Sequence, residues 1–340
     1  MNILKKFYSH KATPKTHLIL ILCALLLAVS FAASILLGST SISLHTFFND
    51  LSQHNWNSPT FRIISYVRMP RAIAAALSGM ALAVSGVIIQ AVLNNSLAAP
   101  NIIGVNSGAG FFTLLIIAAF PGHYMLLPVA AIGGALFASL LIYGIAAKTG
   151  ASKITITLSG IAISSILSAG MNTIKTLSPD SLYNANTFLI GGLFGVSYKN
   201  ISYTWILILL GILIVILLGK DIDLLLLGDE TAKSLGMNVR LLRFLLLVIA
   251  SVLAGCAVSF SGLLGFVGLI IPHIVRRLVG NNHRIVIPVS MLGGASFVLI
   301  CDLISRCIFA PYELPVGILL SFLGGPFFLF LILTRKRGAI

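Results

Sequence analysis

Hydrophobic residues occur along this chain in blocks of roughly 20, about the number a helix needs to cross a bilayer, and short polar intervals separate them. The blocks predict ten spanning helices, near 17–38, 69–92, 101–119, 125–147, 154–172, 201–219, 241–262, 266–279, 285–305 and 314–334. Turn chemistry marks several breaks. Leu93–Pro100 reads as a turn whose proline suits the first turn of the next helix. Pro121-Gly122 closes the third span, and 148–153 (KTGASK) is a short loop. Two longer intervals differ. Residues 39–66 are polar. Residues 173–200 are polar at both ends, with an apolar, Gly-containing centre too short to span, which predicts a re-entrant or surface helix outside the cytoplasm. The expected fold is an all-α membrane protein, one transmembrane domain over 1–340.

Composition agrees with that pattern. The chain is 58% hydrophobic and 9% charged with mean hydropathy +1.06, whereas soluble domains carry about 25% charged residues. Such a chain cannot cover its apolar surface in water, so lipid is its solvent. The first apolar block follows Lys5, Lys6, Lys11 and Lys15 and is longer than the roughly 7–15 residues of a signal-peptide core, so it is expected to be a retained span. The net charge of +14 does not point to nucleic acid, because the basic residues sit at the ends of apolar blocks. With both termini cytoplasmic, 16 of the 22 Lys and Arg residues fall inside. Arg62, Arg68, Arg71, Lys175, Lys199 and Arg306 violate the bias. The cysteines (Cys23, Cys256, Cys301, Cys307) have no metal-ligand spacing and read as packing residues.

Small residues are dense within the blocks, as in Ser78-Gly79, Ser85-Gly86 and Gly293-Gly294, and predict close helix packing. A short echo links Ala83–Gly86 and Pro100–Ile103 with Ala257–Gly262 and Pro272–Val275. Its two copies run in opposite directions, the mark of an inverted repeat.

The strongest local signal is a charged island, 220–243, which holds eight of the chain's 30 charged residues between two apolar blocks. At its centre, Glu230–Gly236 fits E-x-A-x-x-x-G. Gly228 and Gly236 are placed to end a short helix, with Asp229 and Glu230 at its dipole-favoured N-terminus. Helical spacing puts Ala232 and Leu235 on one face. That fit resembles the coupling motif of ABC-importer permeases. Together with residues 68–112, 261–284 and 313–332, it makes nearly the whole chain similar to the permease family of ABC importers for iron-siderophores, haem and cobalamin.

The resemblance implies a type II importer permease of ten helices and a role as the translocation subunit of an ATP-driven importer. It implies a second permease subunit, identical or not, two ATPase subunits carrying ATP and Mg²⁺, an extracytoplasmic binding protein and a bulky metal chelate such as an iron-siderophore. The setting would be a bacterial plasma membrane. No cofactor or metal is expected on this chain, and no enzymatic activity. Gly228, Asp229, Glu230, Ala232, Leu235 and Gly236 would engage the ATPase, with Ala232 and Leu235 facing its groove. Arg68, Arg71 and Arg306 would meet acidic residues of the binding protein, unless Arg306 is used by Asp302 at i,i+4. Spans 5 and 10 would line the pathway, bringing in Ser159, Ser168, Asn172, Thr173, Pro315 and Gly317. Asn95 and Leu97, with residues 149–155, would form the inner gate. His273 is a packing residue or a proton or substrate group.

The chain has no G-x-x-x-x-G-K-[ST], H-E-x-x-H or G-x-S-x-G motif, so P-loop ATP binding and common hydrolase chemistry are unsupported. An ion-coupled secondary transporter is the alternative. Against it, no carboxylate lies at the middle of a span.

Overall fold

A computed structural model describes residues 14–38, 47, 49–50, 52–100, 104–148, 153–178 and 182–334. The terminal basic clusters (Lys5, Lys6, Lys11, Arg335, Lys336, Arg337) and most of the 149–155 gate segment lie outside these. Among the described residues the ordered elements are helical. They are α1 (Pro14–Leu36), α2 (Pro59–Val92), α3 (Val105–Ala119), α4 (Leu127–Lys148), α5 (Lys153–Leu177), α6 (Leu182–Ile190), α7 (Thr204–Leu217), α8 (Gly219–Leu225), α9 (Asp229–Ser234), α10 (Val239–Ser261), α11 (Val267–Val279), α12 (His283–Cys307) and α13 (Val316–Thr334).

Each expected span coincides with one of these helices. Seven are long and apolar enough to cross a membrane, those containing α1, α2, α4, α7, α10, α12 and α13, so the chain is a multi-pass membrane protein. Two of the remaining spans are short: α3 has 15 residues and α11 has 13. Backbone outside helices is tolerated at membrane depth only where protein buries it or where it lines a cavity. The 263–266 segment that precedes α11 does line one.

Span 2 starts ten residues earlier than expected, at Pro59, with a π turn over Ile64–Arg68. The cause is Pro70. It has no N–H for the carbonyl four residues back, and the turn before it widens so that the Met69 N–H bonds the Ile64 carbonyl five residues away. Such insertions in a helix are frequent at functional sites.

The core is built on α2, which is almost wholly buried. It packs against α10, α11 and α12. A Cβ on Gly79 would land on the Gly294 carbonyl, and the reverse holds for Gly294, so α2 and α12 meet backbone to backbone. Gly108 of α3 and Gly134 of α4 meet in the same way. Hydrogen bonds join the helices further. Ser85 Oγ donates to the Ala250 carbonyl at 2.8 Å, and Ser251 Oγ donates to Ser139 Oγ at 2.7 Å.

The pairing is mirrored. Span 2 (α2) packs on span 9 (α12), and span 7 (α10) packs on span 4 (α4), while α2 and α10 pack on each other. That exchange is what an inverted repeat produces. The sequence echo does not mark the equivalent positions, however: Ser85-Gly86 lies within α2 against Gly268, whereas Ser261-Gly262 ends α10. The better match is at the starts of α3 and α11. Both follow a left-handed residue, Gly104 (φ 69°) and Phe266 (φ 64°).

Candidate functional site: the coupling segment and the central cavity

The charged island folds into two short helices, α8 and α9, between α7 and α10. Gly228 and Gly236 bound α9 with φ of 102° and 84°, values that a residue with a Cβ adopts only under strain. Asp229 and Glu230 occupy the first turn and Lys233 the last, the charge order the helix dipole favours. Asp229 is pinned by a bidentate pair with Arg243 of α10, at 2.7 and 2.8 Å, the geometry in which guanidinium and carboxylate bind most strongly. Asn238 caps α10 by accepting from the Leu241 N–H at 3.1 Å.

One expectation here is corrected. Ala232 does not share an open face with Leu235. Ala232 is fully buried within the chain's own core, while Leu235 is 53% exposed. A six-residue helix anchored at Asp229 has one side turned inward, and the smallest side chain takes it. The exposed surface comprises Glu230, Thr231, Lys233, Ser234, Leu235 and Gly236, a small apolar point ringed by polar groups.

A cavity of about 700 Å³ opens between α3, α5, α6, the 263–266 segment and α13. Its lining includes Asn106, Ser168, Phe266, Gly317, Ser321 and Phe322. Of the expected pathway residues, Ser168 and Gly317 are brought together here. Ser159, Asn172, Thr173 and Pro315 are not part of the lining. Thr173 Oγ1 instead donates to the Ala169 carbonyl at 3.0 Å, the local use of a helical threonine. Asn95 and Leu97 bond each other across a tight turn, Leu97 N–H to Asn95 Oδ1 at 3.1 Å.

Asn106 was missed by sequence reasoning. Its Nδ2 donates to the Leu264 carbonyl at 3.3 Å, and its buried Oδ1 has no partner among the described groups. Asparagine in the first turn of an apolar helix was the available signal. Backbone hydrogen bonds close one end of the cavity: Gly192 N–H to Ser261 O, Leu263 N–H to Phe188 O and Gly317 N–H to Gly191 O, at 2.9–3.0 Å. They tie α6 to α10 and α13, so the 173–200 segment carries a fixed helix of nine residues. His273 lies inside α11 rather than at its start, edge-on to Phe327 with ring centroids 5.9 Å apart.

The docking expectation for the arginines is also corrected. All three are buried. Arg71 binds Asp302 at 3.0 Å and Glu313 at 2.6 Å. Arg306 binds Asp302 at 3.1 Å and donates to Ser34 Oγ at 2.8 Å. Arg68 donates to the Ile35 and Leu36 carbonyls, at 3.0 and 2.7 Å, which caps the end of α1. The π turn and Pro70 bring Arg68 and Arg71 to the inner side of α2. There they lock α1, α2, α12 and the chain before α13 together instead of offering charge to a partner. Arg62 and Lys199 remain exposed.

Comparison with known proteins joins the two halves of this site. The model of the FecCD transport family matches residues 26–334. The chain belongs to the FecCD transport family. Among curated relatives, the Fe(3+)-citrate import system permease protein YfmE of Bacillus subtilis is 37% identical over 324 residues, covering 94% of this chain and 95% of that protein. The hemin transport system permease protein HmuU of Yersinia pestis is 35% identical over 319 residues, covering 92% and 94%. A solved metal-chelate type ABC transporter in an inward-facing conformation superposes with TM-score 0.82 at 31% identity, over 93% of this chain and 98% of that one. The FecCD fold therefore accounts for the order of the helices here, with the charged island and the cavity as parts of one transport permease.

Proposed function

We propose that this chain is the translocation subunit of an ATP-driven importer that moves a bulky metal chelate, of the iron-siderophore type, into a bacterial cytoplasm across the plasma membrane. The observation that carries the proposal is the rigidly seated α9, which projects an exposed Leu235 amid charged groups between two spanning helices. A soluble ATPase, one of two, binds there and supplies the ATP and Mg²⁺ chemistry, and this chain contributes movement only. A second permease, identical or homologous, completes the pathway against the open sides of α5 and α13, where Ile166 and Phe322 are 70% and 76% exposed. Both termini are cytoplasmic. An extracytoplasmic binding protein delivers the chelate to the opposite end, where Arg62 and Lys199 supply exposed positive charge that steers an acidic partner.

An ion-driven carrier needs a buried acid able to gain and lose charge. Asp302 is fully buried, but both of its oxygens are engaged by Arg71 and Arg306, the role of a structural ion-pair partner. The test is purification of the assembled complex, identification of its subunits and reconstitution with radiolabelled ferric citrate, a ferric hydroxamate, haem and cobalamin. The expected result is ATP-dependent uptake of one of the iron chelates. Uptake that persists when the P-loop lysine of the co-purified ATPase is replaced would sink the reading.

A further inference from the structure

One polar chain runs from the coupling segment into the membrane-spanning core, and only its first bond, to the N-terminal N–H of α12, satisfies a helix end. It begins at Asp223 in α8. Its Oδ1 accepts from the backbone N–H of His283 at 3.0 Å and contacts the His283 Nδ1 at 2.6 Å. The His283 side chain is completely buried. Its other nitrogen, Nε2, lies 3.2 Å from Nη1 of Arg276 in α11. Arginine only donates, so Nε2 accepts and the ring proton sits on Nδ1, facing Asp223. Arg276 continues through Nη2 to Gln90 Oε1 of α2 at 3.5 Å, and Gln90 Nε2 donates to the Gly268 carbonyl of α11 at 3.3 Å. At the same level a Cβ on Gly86 would strike Gly268, so α2 and α11 touch backbone to backbone and cannot slide apart independently.

We propose that Asp223, His283, Arg276 and Gln90 form a hydrogen-bonded strut that carries displacement of the coupling segment into the adjacent ends of α2, α11 and α12. The inference rests on the reading of 220–243 as the ATPase-coupling segment. Four positioning residues from four helices are joined one to the next. Gln90, the last of them, stands just ahead of the 93–99 turn. Each link is directional, and a largely buried hydrogen-bonded chain is stiff, with Arg276 Nε left without a partner among the described groups. A push on α8 therefore reaches the 93–99 turn without a flexible intermediate. None of the four lines the cavity between α3, α5, α6 and α13. Their contribution is to make the membrane helices follow the motor.

The experiment uses the complete complex with its ATPase in proteoliposomes. Cys23 and Cys307 are replaced by alanine, and Ser96→Cys reports on the turn at the end of α2. Maleimide labelling at that site is compared between nucleotide-free complex and complex trapped with ATP, Mg²⁺ and vanadate. In the otherwise native chain the rate should change by about fivefold or more, the lower end of ordinary coupling between sites. Asp223→Ala and His283→Ala should abolish that change while trapped nucleotide stays at the native amount. Asp223→Asn, which keeps the oxygen acceptor, should restore the response. His283→Leu fills the site with neither a donor for Asp223 nor an acceptor for Arg276, so it should break the strut without emptying the site. A response that survives these breaks overturns the proposal. So does a response that falls only in proportion to trapped nucleotide, which is the mark of a structural staple, and so does absence of any response in the native chain. An ATPase that fails to bind the native permease at all would instead refute the coupling reading on which the strut rests.

Discussion

Removing the carboxylate of Asp302 would leave the buried Arg306 guanidinium without its paired acid and Arg71 with Glu313 alone. Breaking a buried pair from one side typically costs about 3–5 kcal/mol because the remaining charge is uncompensated. Asp302→Ala should therefore lower the thermal stability of the detergent-solubilised protein sharply, as read by a dye-binding melt. Arg71→Glu should do the same and should not act as a selective docking mutation. By contrast, the double reversal Arg62→Glu and Lys199→Glu should leave the melt unchanged. It should slow association with the binding protein and weaken the salt dependence of that rate, as measured by surface-immobilised binding. The sequence marked the outer arginines as exceptions to the charge bias, and that much was legible. Their partner lies 231 residues away in the case of Arg71. A pairing across that separation is decided by how helices pack, which no local pattern states. Asp302 and Arg306, four residues apart, were legible as a pair.

For the short helix α9, the glycine spacing alone located both ends, because a turn that needs positive φ selects glycine wherever it occurs. Replacing Gly236 (φ 84°) by alanine should cost about 1 kcal/mol locally and reduce ATPase co-purification while the permease still inserts. Which face looks outward was not legible. Ala232 and Leu235 share a helical face by spacing, but Ala232 is drawn inward by the seating of α9 on α10. The two positions should therefore separate by phenotype. Leu235→Asp should weaken ATPase co-purification with normal permease yield. Ala232→Leu should overpack the core, at a typical cost of about 1–3 kcal/mol, and lower the yield itself. The π turn before Met69 teaches the same lesson. Pro70 is visible in the sequence, where the apolar block alone predicts a span from residue 69. A proline that breaks one hydrogen bond either ends a helix or widens it, and the outcome depends on whether neighbours bury the widened turn. In this protein they do, at Ile64 and Arg68.

Across the whole molecule, the order of spans was legible because a bilayer imposes one length and one chemistry on every crossing. Their partners were not, because helix contacts in lipid depend on small residues that are spread through most of these blocks. Cysteine substitutions at Lys233 and Lys199 should label from opposite faces of the membrane in sealed vesicles, and labelling from one face would overturn the topology. Gly79→Leu should prevent the α2–α12 approach and leave little folded protein, since the new side chain would meet the Gly294 backbone. The late arrival of that second helix has a consequence for biosynthesis. A ribosome delivers α2 with Arg71 long before it makes Asp302 or Glu313. Until then that charge must be held at the membrane surface or shielded by an insertion chaperone. A nascent chain stopped before residue 283 would present the quality-control proteases with an almost wholly apolar helix whose Arg71 has neither acid to receive it.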